Sequence, residues 1–379
     1  MKSVRILVDD KIPFINGALD DVARVVYKKG SDIGPDDVRD MDALIIRTRT
    51  KCNRDLLDRS AVRCIATATI GFDHIDTDYC ERNKIFWTNA PGCNSSSVEQ
   101  YFISAVLELS KRMNFLPENL NLGIIGVGHV GSKVAKAALA LGMKVRLNDP
   151  PRERKEGKEG FVSLDTIRKE SDIISFHVPL NREGPDRTYR MADRNFFRRL
   201  SKPVHLINTS RGPVIDEGAL LSAIKNGTVQ SCVLDVWENE PVIHPELLSS
   251  VDLATPHIAG YSTDGKANGT AMSVRAVSRF FGLGRDDWMP SDLPEPENNP
   301  LIIECKGLSE LEILGNIYHQ TYSIALDDRM LRDNLSAFEY LRGNYRLRRE
   351  PSAFKVQLKN NKFETLTGKL EKLGFMILN

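Results

Sequence analysis

The feature that most narrows the fold is a glycine-spaced turn in mid-chain, Gly126-Val127-Gly128-His129-Val130-Gly131. A G-x-G-x-x-G alone is a common glycine turn, so its flanks decide what it is. Leu122 to Ile125 read as an apolar strand directly before it. After it, Val130, Val134, Ala138 and Leu141 recur at helical spacing, and Gly142 is placed to end the helix. A further strand over 143–148 then delivers Asp149. Strand, glycine turn, helix, strand and acid form the pattern that binds a dinucleotide, with the pyrophosphate on the helix N-terminus. Gly126 permits the tight turn, Gly128 lets backbone approach the pyrophosphate, and Gly131 lets helix and strand pack closely. Asp149 is placed to accept hydrogen bonds from the adenosine ribose and to repel a 2′-phosphate. NAD is therefore expected rather than NADP, with Arg152 and Arg154 as the features that argue the other way.

Around this turn, apolar runs alternate with helical segments from Asn121 to about Pro256, with strands expected at 122–126, 144–148, 172–177, 204–208, 231–235 and 252–255. Such alternation predicts an α/β fold with a doubly wound parallel sheet. A first α/β layer precedes it, with strands at 4–8, 43–46, 62–66 and 85–87. A helix follows from about 94 to 112, carrying Val98, Phe102, Ala105, Val106 and Leu109 on one face, with Ser96 and Glu99 at capping-box spacing. Another helix is expected over 264–283, then a proline-rich linker over 286–300, then a small α+β unit over 301–379.

At 379 residues the chain exceeds one hydrophobic core, so two or three domains are expected. The 52 basic residues nearly balance the 51 acidic ones, which leaves no electrostatic footprint for nucleic acid or an anionic membrane. No apolar run approaches a membrane span, and the N-terminus MKSVRILVDD reads as a strand rather than a signal peptide. The six cysteines are scattered without a C-x-x-C pair, which points to reduced thiols in a cytoplasmic protein and to no metal. Cys93, in the loop Pro91-Gly92-Cys93-Asn94, reads as a small apolar filler rather than a nucleophile.

Hydride chemistry at a 2-hydroxy acid needs a cation for the carboxylate, a base for the hydroxyl proton and a group to orient that base. In a parallel sheet these belong just past strand C-termini. Arg211, in Asn208-Thr209-Ser210-Arg211-Gly212, can grip a carboxylate bidentately. His257 ends the run Val251 to Pro256, and Glu240 follows Asp235-Val236-Trp237-Glu238-Asn239. An imidazole titrates near neutrality, and a carboxylate on its other nitrogen selects the tautomer and stabilises the imidazolium. Of the seven histidines, His177 in Phe176-His177-Val178-Pro179-Leu180 is a rival to His257, because it also follows a strand.

The segments GVGHVG, NTSRG (208–212), DVWENEP (235–241) and PHIAGY (256–261) resemble the D-2-hydroxyacid dehydrogenase family. The resemblance places the family's catalytic arginine, glutamate and histidine on Arg211, Glu240 and His257, and His177 in a segment beside the cofactor. It implies a Rossmann domain (97–257) inserted in a discontinuous flavodoxin-like substrate domain (1–96 and 258–285). The helices near 94–112 and 260–282 would be the hinges. LVDDKIPF, IIRTRTKCN, TATIGFDHID, NAPGCN and Asp149-Pro150-Pro151 carry the likeness further over nearly the whole chain. They resemble a branch of the family that acts on a phosphorylated four-carbon 2-hydroxy acid in vitamin B6 biosynthesis.

In that branch residues 286–379 would be a dimerisation domain, making a homodimer. The likeness implies substrate contacts at Thr48, Thr69, Arg211 and Tyr261. It implies NAD contacts at Gly126, Gly128, His129, Val130, Gly131, Asp149, Val178, Thr209, Asp235 and Gly260. Val178 stands where a threonine is usual, which removes a side-chain hydroxyl contact to NAD and leaves the backbone one. Ile70 and Phe72 replace smaller residues and are expected to narrow the pocket. Arg47, with Arg49, is the candidate cation for the substrate phosphate; at most one of the two is expected to point inward. Arg346, Arg348 and Arg349 are expected to form a solvated face. The alternatives are another member of the family, acting on a three-carbon phospho acid, or an NAD-sensing binding protein on the same fold.

Overall fold

The structure is a computed structural model, described over residues 3–378. The chain forms two compact units, one from residues 1–94 and 262–294, the other from 95–261 and 295–379. The crossings at 94/95 and 261/262 fall at the starts of the two long helices, Ser95–Met113 and Thr263–Phe281. The second of these begins on a hydroxyl cap, Ser262 accepting the Gly265 N–H.

The first unit carries a five-stranded parallel sheet. Its strands are β1 (Arg5–Asp9), β2 (Arg24–Lys28), β3 (Ala43–Ile46), β4 (Cys64–Thr67) and β5 (Phe86–Thr88), in spatial order β2-β1-β3-β4-β5. That 2-1-3-4-5 order is the flavodoxin-like one. β3 and β4 are buried along their whole length, as strands covered on both faces must be. β2 was not expected from the sequence. It is a half-exposed edge strand that pairs Arg24 to Lys28 with Arg5 to Asp9, and its charged ends mask the short Val25-Val26 run. Helix Thr263–Phe281 returns to this unit, burying Val274 and Val277 against Ile6, Val8, Ile45 and Ala66.

The second unit holds the glycine turn. Its strands β6 (Asn121–Ile125), β7 (Lys144–Asn148), β8 (Ile173–Phe176), β9 (Val204–Asn208), β10 (Val229–Leu234) and β11 (Leu253–Ala254) run parallel in the order β11-β10-β9-β8-β6-β7. The order reverses at β6, so the crevice at its C-terminal end is the topological switch point where such sheets bind ligands. The C-terminal segment adds β12 (Leu301–Glu304), β13 (Lys355–Lys359) and β14 (Met376–Leu378). These strands also pair parallel, because helices link each to the next, which refines the expected α+β character toward α/β.

This segment shares one hydrophobic core with the dinucleotide fold. Phe102, Val106, Leu122 and Val134 belong to the same cluster as Leu301, Ile313, Tyr318, Val356 and Leu370. Helix Ser95–Met113 is therefore buried on its polar side as well as its apolar one. Ser97 donates to Glu350 (2.8 Å), Gln100 to the Arg349 carbonyl (3.1 Å) and Ser104 to the Tyr322 carbonyl (3.1 Å). The capping box expected at Ser96 and Glu99 is corrected: the helix starts at Ser95, and the Ser96 hydroxyl accepts from Lys133. The solvated face expected of Arg346, Arg348 and Arg349 is corrected too. Arg348 is 2% exposed and stacks 3.7 Å from the centroid of Tyr322, and Arg346 pairs with Asp327.

Candidate active site

The glycine turn has the shape a dinucleotide needs. Gly126 takes φ +90°, and a Cβ there would stand 2.6 Å from the His177 carbonyl oxygen. A Cβ on Gly131 would meet the Gly126 carbonyl oxygen at 2.0 Å, so helix His129–Ala140 can start this close to β6 only with glycine there. Above Gly128 the space is open, which leaves the N-terminus of the helix accessible to a phosphate. Val178 packs against Gly126.

Asp149 follows β7 and accepts the Val127 N–H at 2.7 Å and the Arg152 N–H at 3.0 Å, which holds its carboxylate at the turn. Arg152 is engaged by Glu156 and by the Val127 carbonyl, and Arg154 by Asp186. Both arginines that argued for a 2′-phosphate thus already have acceptors.

Three loops past the C-termini of β9, β10 and β11 build the catalytic constellation. In the first, Arg211 donates to the Ser210 carbonyl (2.8 Å), and Asn208 donates to the Arg211 carbonyl (3.1 Å). A Cβ on Gly212 would lie 2.0 Å from the Trp237 carbonyl, so glycine lets this loop close on the second. In the second loop, Glu240 accepts the Trp237 N–H through Oε1 (3.0 Å), and its Oε2 lies 2.7 Å from His257 Nδ1. Burial pushes the Glu240 carboxyl up, but the His257 hydrogen bond and charge, the Trp237 N–H and Arg342 outweigh it, holding the group below its ordinary range. With Nδ1 occupied by Glu240, Nε2 is the nitrogen of His257 left for a substrate.

The third loop bends sharply. His257 has φ 57°, and Asp235 keeps it there. The Asp235 carbonyl accepts the His257 N–H (2.7 Å), while its carboxylate takes the Ile258 N–H (2.7 Å), the Ala259 N–H (2.9 Å) and the Thr255 hydroxyl (2.6 Å). The Asp235 side chain thus organises the loop that ends in Gly260 and Tyr261. The rival histidine is placed differently. His177 has Ser175 on Nε2 (2.8 Å) and Thr209 on Nδ1 (3.2 Å), and burial pushes its imidazole down to about 3. It is neutral at physiological pH with both nitrogens engaged, so it offers no base.

In the first unit, Thr48 lines a cavity of about 530 Å³ with Lys51, Asn53, Asp73, His74, Ile75 and Asp76. Thr69 donates to the Gly71 carbonyl (2.9 Å) and lies 2.8 Å from the Thr67 hydroxyl. Phe72 packs against Trp87 in a tilted contact with centroids 5.0 Å apart and is not among the residues lining that cavity. Arg47 and Arg49 both line a second cavity of about 360 Å³ with Asp9, Lys11, Lys29, Gly30 and Ser31. Both face this one cavity, against the expectation that at most one would point inward, because β3 ends at Ile46 and the chain then turns, so strand alternation does not set these side chains. Lys266 was missed in the sequence. Burial and the Arg47 charge hold its ammonium below its ordinary range, which places it near Arg47, but it belongs to no motif. Arg342, near Glu240, was missed for the same reason.

A parallel sheet with a glycine turn at its switch point and an Arg, Glu, His set past its strand ends defines a nicotinamide-dependent oxidoreductase. The family model for the D-isomer specific 2-hydroxyacid dehydrogenase NAD-binding domain matches residues 105–259, and a model described only as a domain of unknown function matches 293–374. The chain is 51% identical over 354 residues to the erythronate-4-phosphate dehydrogenase of Bacteroides thetaiotaomicron, covering 93% of this chain and 99% of that one. It is 41% identical to that of Porphyromonas gingivalis, covering 93% and 95%. Among solved structures it resembles the D-lactate dehydrogenase of Aquifex aeolicus complexed with NAD and lactic acid (TM-score 0.57, 27% identity, 73% of this chain and 95% of that one). In fold it also resembles Rhodotorula graminis D-mandelate dehydrogenase (TM-score 0.63, 22% identity, 73% of this chain and 94% of that one). The chain belongs to the D-isomer specific 2-hydroxyacid dehydrogenase family and is an NAD-dependent oxidoreductase.

Proposed function

We propose that the chain oxidises 4-phospho-D-erythronate at C2 to 2-oxo-3-hydroxy-4-phosphobutanoate, a step of pyridoxal 5′-phosphate biosynthesis. The observation that carries the reading is the 51% identity, along 93% of the chain, to a relative named for that substrate. It does not favour a three-carbon phospho acid or a cofactor sensor. Bound NAD supplies the hydride acceptor, held by the glycine turn at Gly126, Gly128, His129, Val130 and Gly131, with Asp149 on the ribose. Val178, Thr209, Asp235 and Gly260 complete its contacts.

Arg211 grips the substrate carboxylate and so fixes the orientation of C2. As the C2 hydrogen leaves as hydride, the 2-hydroxyl proton passes to Nε2 of His257, and the hydroxyl oxygen becomes the carbonyl. Glu240, on Nδ1, stabilises the imidazolium that forms. Thr48, Thr69 and Tyr261 contact the rest of the substrate. Arg47, whose Nε also lies 3.5 Å from Asp9, serves the phosphate from a cavity it shares with Lys11, Lys29 and Arg49.

The same reading makes the protein a cytoplasmic homodimer. The all-buried, unpaired cysteines suit a reducing compartment, and no described helix is long and apolar enough to cross a membrane. The C-terminal sheet leaves Ile302 (54% exposed), Met376 (44%) and Leu378 (37%) on one face, flanking Lys355, Gln357 and Lys359 of the central strand, a mixed surface that a second copy can cover.

Turnover of 4-phospho-D-erythronate against 3-phosphoglycerate, with NAD and a 2-oxo acid present to regenerate it, tests the assignment. The four-carbon acid is expected to give a kcat/KM at least about tenfold higher; the reverse preference overturns it.

A further inference from the structure

The C-terminal segment reaches the catalytic loops of its own chain. Arg348 donates to the carbonyls of Ile258 and Ala259, directly after His257. Tyr345 meets Tyr261 edge-on, ring centroids 5.9 Å apart. Arg342 comes closest to the chemistry. Its guanidinium lies 5.9 Å from the centroid of Tyr261, hydrogen-bonds that side chain, and bears electrostatically on Glu240.

The Arg342 guanidinium is held from several sides. One of its amino groups donates to Glu339 (3.3 Å), the Phe338 ring lies 5.8 Å from its carbon, and its Nε is enclosed without a hydrogen-bond partner. The side chain is still 24% exposed, but a buried Nε without a partner sets it apart from a freely solvated arginine.

We propose that Arg342 is a positioning residue for the dehydrogenase reaction, acting through Tyr261, whose ring it faces, and through Glu240, whose charge it opposes. It touches neither the hydride nor the transferred proton. Glu240 must stay anionic while His257 takes up a proton, and the groups bearing on it are His257, Arg342 and the carboxylate of Glu217, itself beside Glu238 and His244. Arg342 opposes the repulsion from Glu217. The inference rests on the proposed roles of His257, Glu240 and Tyr261, but not on which 2-hydroxy acid is the substrate.

The test is R342M and R342K in the full chain, assayed with the 2-hydroxy acid that the wild type turns over best. R342M removes a charge that lowers the Glu240 pKa, so the acid limb of kcat/KM moves to higher pH and kcat falls at least tenfold, with NADH binding unchanged. R342K restores the charge and returns the limb toward its original pH, while the planar contact to Tyr261 stays lost. Combined with Y261F, R342M adds only the loss that runs through Glu240, still read as the shifted acid limb.

Carbon-13 NMR titration of the Glu240 carboxyl, which needs no turnover, is expected to show a raised midpoint in R342M. An unmoved Glu240 midpoint overturns the inference. So does a variant that loses only thermal stability at a wild-type pH profile, or a KM increase confined to phosphorylated substrates at constant kcat, which would mean direct contact with the phosphate. A wild type that prefers another 2-hydroxy acid overturns the substrate assignment and leaves this test intact.

Discussion

His257 combines a left-handed backbone with a side chain paired to a carboxylate. A non-glycine residue in that region costs of the order of 1–3 kcal/mol and persists only when its surroundings over-determine it. Here four hydrogen bonds to Asp235 do so, three from the loop backbone and one from Thr255. His257→Ala is expected to lower turnover roughly 10²–10⁴-fold and to leave NADH binding, followed by fluorescence, nearly unchanged. Near-normal turnover would remove His257 from the role of base. For the cofactor, Asp149→Ala is expected to raise kcat/KM with NADP relative to NAD; an unaltered ratio would mean that the carboxylate, already accepting from Val127 and Arg152, does not read the ribose.

The elements that carry these residues differ in how far the sequence disclosed them. The glycine turn was legible because each residue has a separate steric duty that only glycine fulfils, and the buried β3, β4, β8 and β9 were legible as short apolar runs. The edge strand β2 was not, since charge at both ends hides a two-valine core. Nor was the polar side of helix Ser95–Met113. Ser97, Gln100 and Ser104 have the composition of a solvent face, and only residues some 220–250 positions later turn it into an interior. Arg348 shows the same limit: an arginine in a basic run reads as solvated, whereas this one supports two backbone carbonyls of the His257 loop. Replacing it with Met is expected to destabilise the chain by about 1–3 kcal/mol through the acceptors left without a donor, measured as a lower denaturant midpoint. An unchanged midpoint would mean that water satisfies them.

For the whole molecule, the C-terminal sheet raises the question of what covers its outer face. If Ile302 and Met376 meet a second copy, I302K/M376K is expected to halve the mass found by light scattering, while folding, followed by circular dichroism, persists. A wild type that is already monomeric would instead leave the patch as uncovered surface.

The shared core of helix Ser95–Met113 and the C-terminal segment has a consequence for the order in which the protein can become active. The dinucleotide fold leaves the ribosome with one side of this helix unmatched, and the loop after His257 still lacks the support of Arg342, Tyr345 and Arg348. A nascent chain halted before residue 340 would carry every residue of the proposed catalytic set without the braces that hold Glu240, Tyr261 and the His257 loop in place. Enzymatic competence is thus acquired only once residues 342–348 have been made and packed, and a chain cut short before them would be inert rather than partly active.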